Sequence, residues 1–224
     1  MISVIIPALN EEARLTGCLE SVLAQRENVQ VFVVDGGSKD GTLEAARRCG
    51  VEVVALGRAG LAAQLNAGAA EAGGDMLLFL HADSRLAPGT LARLRKIPPG
   101  ITGGAFTMQL DGPRFFYRLL SLGGNLYCRL TGTYFGDRGI FVRPSAFHRL
   151  GGFAPLPIMT DVDFSRRMRR LGKTVLLKGP VINSSRKFDA ESPWRTIYLI
   201  FYALLAFRLG VDPARIKKKY YSSG

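Results

Sequence analysis

The chain is 224 residues long and 47% hydrophobic, which suits one globular domain with a substantial core and excludes a disordered protein. Its net charge of +12 is unevenly placed. Residues 1–112 carry 10 basic and 12 acidic side chains and residues 113–224 carry 20 and 6, so the second half is expected to meet something anionic: a phosphorylated substrate, a membrane surface or nucleic acid.

The first hundred residues alternate strand and helix. MISVIIPALNEE has neither a basic leader nor a cleavage site, so no signal peptide is expected, and SVIIPA (3–8) reads as a strand. Asn10 as cap, with Glu11 and Glu12 in the first turn, predicts a helix whose apolar stripe is Leu15, Cys18, Leu19, Val22 and Leu23. VQVFVVD (29–35) is a second strand ending in Asp35 and a glycine-rich turn, and residues 42–50 form a helix closed by Gly50. VEVVAL (51–56) is a third strand, followed by an alanine-rich helix near 60–72. DMLLFLHA (75–82) is the fourth; its apolar run hardly alternates, which predicts burial on both faces of a parallel sheet, and it opens into His81, Ala82 and Asp83. Strands and helices of these lengths imply right-handed βαβ units. Ligands bind at the carboxyl rim of such sheets, and Asp35 and Asp83 both fall there, which points to a nucleotide or metal-bound ligand.

Beyond Pro88 the pattern loosens. A short helix (88–96) leads to an added strand, GGAFTMQL (103–110), and residues 113–130 read as an amphipathic helix with Phe116, Leu119, Leu120, Tyr127 and Leu130 on roughly one face. GIFVRP (139–144) is strand-like, and residues 161–172 form a helix with Phe164, Met168 and Leu171 inward. IYLIFYALLAF (197–207) is too short for a membrane span, which needs about 20 residues. A buried C-terminal helix is expected there; the alternative is a helix in the membrane interface, helped by Trp194, Arg208, Arg215 and Lys217–Lys219. The expected organisation is one domain over 1–190, with a helical extension, 191–224, packed on it. Cys18, Cys49 and Cys128 are odd in number and far apart, which predicts free thiols in a reducing, cytoplasmic compartment and disfavours a disulfide framework or zinc site.

At the strand-end rim, Asp83 suits a divalent cation, since Mg²⁺ or Mn²⁺ is commonly held by one or two carboxylates together with phosphate oxygens. Asp35, before Gly36 and Gly37, could accept hydrogen bonds from a base or ribose; each Asp alone could equally form a turn or cap.

PALNEE (7–12), VVDGGSKDGT (33–42), FLHADS (79–84), GDRGIFVR (136–143) and MTDVDFSRRMRRLG (159–172) resemble, in order, the motifs of inverting family 2 glycosyltransferases with the GT-A fold. The combination of DGGS, HAD and GDRGIF is most similar to a bacterial subgroup named for arsenosugar biosynthesis. The resemblance implies an α/β fold with a mixed, mostly parallel sheet flanked by helices, C-terminal helices, and transfer of a sugar from a nucleoside diphosphate sugar to an acceptor hydroxyl. It further implies that Pro7, Ala8 and Glu11 line the nucleotide pocket, that Asp35 contacts the base, and that Arg58 lies near the phosphates or base. Asp83 would be the last carboxylate of the metal motif, with Mg²⁺ or Mn²⁺ as cofactor, and Arg186 would belong to a basic motif closing over the diphosphate. Asp161 would be the catalytic base. That role is chemically consistent, because a single displacement needs a carboxylate across the site from the metal, and a helix N-terminus keeps it ionised. Asp161 as a mere helix cap, or Asp163 as the base, stays open.

The chain departs from the motifs in places. His81 stands where many relatives carry the first acid of the metal motif, so imidazole could serve as a ligand; Thr160 replaces the Glu beside the proposed base, and Lys187-Phe188 replaces an aromatic-ended motif. No QxxRW occurs, which argues against a processive polymerase. Two other functions remain open at this level. One is transfer to a polyprenyl phosphate at the inner membrane face. The other is a non-catalytic anion- or nucleotide-binding protein on the same fold; a nucleic-acid partner is not expected, because no aromatic-basic motif or recognition helix is evident.

Overall fold

The computed structural model describes residues 1–58, 60–112, 115–185 and 193–221. Eight strands form one sheet: β1 (Ile2–Ala8), β2 (Val29–Asp35), β3 (Glu52–Ala55), β4 (Met76–Phe79), β5 (Arg85–Leu86), β6 (Ile101–Leu110), β7 (Ile140–Val142) and β8 (Lys173–Asn183), in the order β3-β2-β1-β4-β7-β6-β8-β5. The β3-β2-β1-β4 portion is parallel throughout, β7 runs antiparallel to both β4 and β6, and β6 and β8 are parallel. The sheet is therefore mixed, with a parallel nucleotide-binding-like half and an irregular second half.

The parallel half follows directly from its residues. Along β1 successive side chains point to opposite faces, so Val4 and Ile6 join one core with Leu15, Leu19 and Val33, while Ile5 joins the other with Phe32, Val34 and Leu65. Helix α1 (Glu12–Leu23) and α2 (Thr42–Arg48) cover the first face, and α3 (Leu61–Glu71) the second. Because both faces are covered, the strands are apolar without alternation. Asn10 is not the cap of α1. It lies at φ 56, its N–H donates to Ser38 Oγ, and its Oδ1 accepts from the Lys39 N–H, so it ties the end of β1 to the loop before α2 instead. Leu23, expected in the α1 stripe, is exposed.

In the second half, α5 (Pro144–Leu150) and α6 (Thr160–Leu171) pack with α3 on the second face. Phe79 at the end of β4 meets Phe153 edge-on at 4.8 Å, and Phe153 stacks on Phe164 of α6 at 4.1 Å. This ring cluster fixes the start of α6 relative to the end of β4. The short helix expected over 88–96 is a 3₁₀ turn (Leu91–Lys96), and β4 stops at Phe79, so His81 and Asp83 occupy a turn closed by a Ser84 N–H to His81 carbonyl bond.

Helix α4 (Phe115–Thr131) does not bury the apolar face named for it. Its buried residues are Tyr117, Ser121 and Cys128, whereas Leu119 and Leu130 of that face are exposed. The polar side is inside because β6 breaks register between Phe106 and Met108, and α4 supplies the missing partners: Asn125 Oδ1 accepts from the Met108 N–H, Asn125 Nδ2 donates to the Met108 carbonyl, and Ser121 Oγ accepts from the Leu110 N–H. The C-terminal segment forms α7 (Pro193–Arg208) and α8 (Pro213–Tyr221). Ala203, Ala206 and Ile216 pack there against Ile158 and Met159 at the start of α6. The helix is only half buried, since Tyr198, Phe201 and Leu205 are exposed.

Candidate functional site

The carboxyl ends of β1 and β4 flank a cleft of about 220 Å³ lined by Pro7, Ala8, Glu11, Leu61, Gln64, His81 and Asp83, among others. Pro7 and Ala8 reach it as the last residues of β1. Glu11 lines it from the turn before α1, its carboxylate paired with Arg14 at 3.2 Å. Gln64 is buried and ties the rim together: its Nε2 donates to the carbonyls of Ala8 at 2.9 Å and Val34 at 2.8 Å. Sequence reasoning missed Gln64; an amide among the alanines of α3 was the available signal.

Asp35 ends β2 beside the cleft. It is buried, and its carboxylate accepts from the N–H groups of Gly37 at 2.9 Å and Ser38 at 3.0 Å and from the Ser38 hydroxyl. It lies beside the cleft, folding its own turn. Gly37, at φ 93, brings that turn against the Gly57 carbonyl, which a Cβ at position 37 would meet at 3.0 Å. Arg58 follows Gly57 and is exposed, near the Asp35 turn but not among the residues lining the cleft. Arg186 lies outside the described residues.

Asp83 is exposed in the cleft and, among the described residues, its carboxylate makes no hydrogen bond or ion pair. Beneath it, the buried Cys18 thiol donates to the His81 carbonyl at 3.4 Å; burial, with the Asp83 charge adding to it, keeps this thiol protonated by raising its pKa. The half-buried His81 ring turns toward the GDR segment, where a Cβ on Gly136 would meet Nε2 at 2.5 Å, so only glycine admits this approach. Among the described residues no group of three or more His, Cys, Asp or Glu side chains is gathered for a metal. The donor set at this position is one free carboxylate and one imidazole. Mg²⁺ and Mn²⁺ typically take only one or two protein ligands and fill the rest from phosphate oxygens and water, so these residues fit such a cation.

Asp161 enters from the first turn of α6. Its Oδ2 accepts from the Gly136 N–H at 2.6 Å and its Oδ1 from the Val162 N–H at 2.8 Å. Gly136 thus touches His81 and Asp161 at once, which brings the strand-end turn and the α6 carboxylate to one place. Burial raises the Asp161 pKa above its ordinary value; the two N–H bonds and His81 draw it back, and nearby Asp137 adds to the rise. Asp163 is engaged elsewhere, accepting from Arg167 Nε at 2.7 Å, and the buried Thr160 hydroxyl donates to the Leu156 carbonyl at 3.1 Å. Of the two α6 acids, only Asp161 faces the His81 side.

Asp137 was also missed as a separate residue, although it lies within a quoted motif. Its Oδ1 is buried without a hydrogen-bond partner, and its carbonyl accepts from Asn183 Nδ2 at 2.7 Å, while Asn183 Oδ1 accepts from Ser84 at 2.6 Å. The neighbouring Arg138 is fully buried beneath α4 and donates to Asn125 Oδ1.

The comparisons with known proteins bear on family and fold. A sequence model described as Glycosyl transferase family 2 matches residues 3–146. An undecaprenyl-phosphate 4-deoxy-4-formamido-L-arabinose transferase from Aeromonas hydrophila is 34% identical over 161 residues, covering 66% of this chain and 49% of the relative. A PGL/p-HBAD biosynthesis glycosyltransferase from Mycobacterium bovis is 38% identical over 194 residues, covering 75% of this chain and 69% of the relative. The chain spans about half or less of the length of several curated relatives it matches. Among solved structures, a mannosyltransferase from Pyrobaculum calidifontis in complex with GDP-Man and Mn²⁺ has a TM-score of 0.67 at 22% identity, over 90% of this chain and 60% of that one. At that identity the likeness is one of fold, and the fold is that of the GT-A transferases.

Proposed function

The chain belongs to glycosyltransferase family 2, and from that premise we propose that it transfers a sugar from a nucleoside diphosphate sugar to an acceptor hydroxyl by a single, inverting displacement. One observation carries the proposal: a free carboxylate, Asp83, lies in the cleft at the end of β4, and a second, Asp161, is held by Gly136 on the far side of His81. In this reading Pro7, Ala8, Glu11 and Gln64 form the floor for the nucleoside, with Asp35 shaping the adjoining turn and Arg58 and Arg186 near the phosphates. Asp83, with His81, would hold Mg²⁺ or Mn²⁺ against the diphosphate, and a cation there would offset the charge that develops on the leaving group.

Asp161 accepts the proton of the acceptor hydroxyl. The acceptor oxygen forms the new bond to the anomeric carbon while the bond from that carbon to the diphosphate oxygen breaks, and its electron pair leaves with the phosphate. No enzyme nucleophile is needed. A carboxylate whose proton affinity is raised by burial yet steadied by two N–H donors is well matched to this step. The presence of a base, Asp161, favours a small hydroxylic acceptor over one that is already an anion.

A second reading has one observation in its favour, the similarity to a relative named as an undecaprenyl-phosphate transferase. A phosphate acceptor is already an anion and needs no strong base. A thermal-shift panel of nucleotide sugars with and without Mn²⁺ tests the proposal and identifies the donor. Stabilisation by one nucleotide sugar class only with metal is expected; indifference to all of them would contradict it and favour a binding protein. With the donor known, Asp161→Asn separates the two acceptors, since transfer to a hydroxyl is lost and transfer to a phosphate persists.

A further inference from the structure

The outer faces of α4 and α7 are apolar in the same register. On α4, Phe115, Leu119, Leu122, Leu126 and Leu130 are each more than half exposed. On α7, Trp194, Tyr198, Phe201 and Leu205 are too, as is Leu209 just beyond it. Both sets advance by four, three, four and four residues, which is one stripe along a helix. The two helices meet where the rings of Phe116 and Trp194 approach to 5.8 Å, so the stripes belong to one surface. Ten large apolar side chains left to water form a patch of the kind that marks an interaction site.

The charge around the patch is predominantly positive among the described residues. Helices α4, α7 and α8 contain no acidic residue, Asp212 lies between the last two, and Arg118, Arg129, Arg195, Arg208, Arg215 and Lys217–Lys219 are basic. We propose that this surface docks the protein on an anionic lipid bilayer, the apolar stripes entering the interface and the cations meeting phosphate headgroups. A second copy of the chain is a poorer occupant, because a two-fold interface would set these cations against their own equivalents. Nucleic acid offers charge but nothing for ten apolar side chains. Among the described residues no helix is long and apolar enough to cross a membrane, so the contact is peripheral for the part described.

The inner faces of the same two helices touch the segments around Asp161. Tyr127 of α4 stacks on Phe135 at 6.0 Å and Asn125 accepts from Arg138, on either side of Gly136; α7 packs on Ile158 and Met159, just before Asp161. Docking therefore places the Asp161 side of the molecule next to the lipid. The proposal holds whichever acceptor is used, and it is tested without any substrate.

Trp194 is the only tryptophan and is 73% exposed, so its emission reports on the patch directly. With the whole protein, phosphatidylglycerol vesicles are expected to shift that emission to the blue, and vesicles with brominated acyl chains to quench it. The protein should float with those vesicles, less so as salt rises, and hardly at all with phosphatidylcholine alone. Leu122→Ser and Phe201→Ser, both at exposed positions, should each weaken flotation roughly tenfold while leaving the melting temperature unchanged. Absence of binding to anionic vesicles would overturn the proposal. So would a blue shift that grows with protein concentration in the absence of lipid, which would assign the patch to a second copy, or equal binding to both lipids.

Discussion

The rim formed by β1, β2 and β4 and the opposite side, where α6 delivers Asp161, hold their carboxylates by different means. On the first side, regular parallel strands end together: Asp35 closes β2 and is bonded within its own loop, and Asp83 lies in the turn after β4, in the cleft, without a partner among the described residues. On the second side no strand ends at the acid. Asp161 is positioned by the Phe79, Phe153 and Phe164 ring cluster behind it and by the Gly136 N–H in front of it. In the proposed function the first side would bind through Asp83, which has no partner among the described residues. The second depends on a carboxylate that folding desolvates, so its chemistry is sensitive to packing some distance away.

The largest effect should come from the acid itself. Asp161→Asn is expected to lower kcat by about 10² to 10⁴ while the affinity for donor, read by calorimetry, stays within the wild-type range. A parallel loss of donor affinity would erase the distinction between the two sides. Next, Phe164→Ala should destabilise the protein by about 3–5 kcal/mol in urea titrations, because it empties the ring cluster that anchors α6. A loss under about 1 kcal/mol, no more than an ordinary surface change costs, would mean that the cluster does not carry the helix.

The two strand-end acids of the first side should then behave oppositely. Asp35→Ala leaves the Gly37 and Ser38 N–H groups without their acceptor and should cost about 1–3 kcal/mol of stability. Asp83→Ala should leave the melting temperature of the free protein unchanged and remove the metal dependence of donor binding. Asp163→Asn should be the mildest, below about 1 kcal/mol, since it removes one partly exposed ion pair with Arg167, and turnover should survive. The pH profile sharpens the same contrast. The base must be ionised, and burial raises the Asp161 pKa, so kcat/KM should fall on the acid side at a pH above the ordinary Asp value of about 3.9. An acid limb at or below that value would contradict the buried-base account.

The parallel half was legible because burial on both faces leaves an unmistakable apolar run, as in β4, and because an acid stands at or just after the strand end, Asp35 closing β2 and Asp83 in the turn after β4. β8 was not predicted: KTVLLKGPVIN is half-buried along most of its length and is interrupted by Gly179 and Pro180, so it shows neither alternation nor a continuous core run. Helix α4 was placed correctly, but which of its faces is buried was not legible. Periodicity finds an apolar stripe without saying what it faces, and here the buried side is polar because β6 needs Asn125 and Ser121 at its irregularity. At the site, the positions of His81 and Asp83 after β4 and of Asp161 at the start of α6 were readable from motif order. Gln64 and Gly136 were not, because their importance lies in which backbone and ring groups they meet, and only the folded arrangement shows that.

The most direct measurement is the configuration of the sugar released when the protein slowly hydrolyses its donor, followed by ¹H NMR before the anomers equilibrate. A base on the far side of the anomeric carbon from the diphosphate predicts that the first sugar to appear has the anomeric configuration opposite to that of the donor, and that Asp161→Asn abolishes its appearance. Release with the donor's own configuration would contradict the account, because retention gives Asp161 no place in the reaction as described.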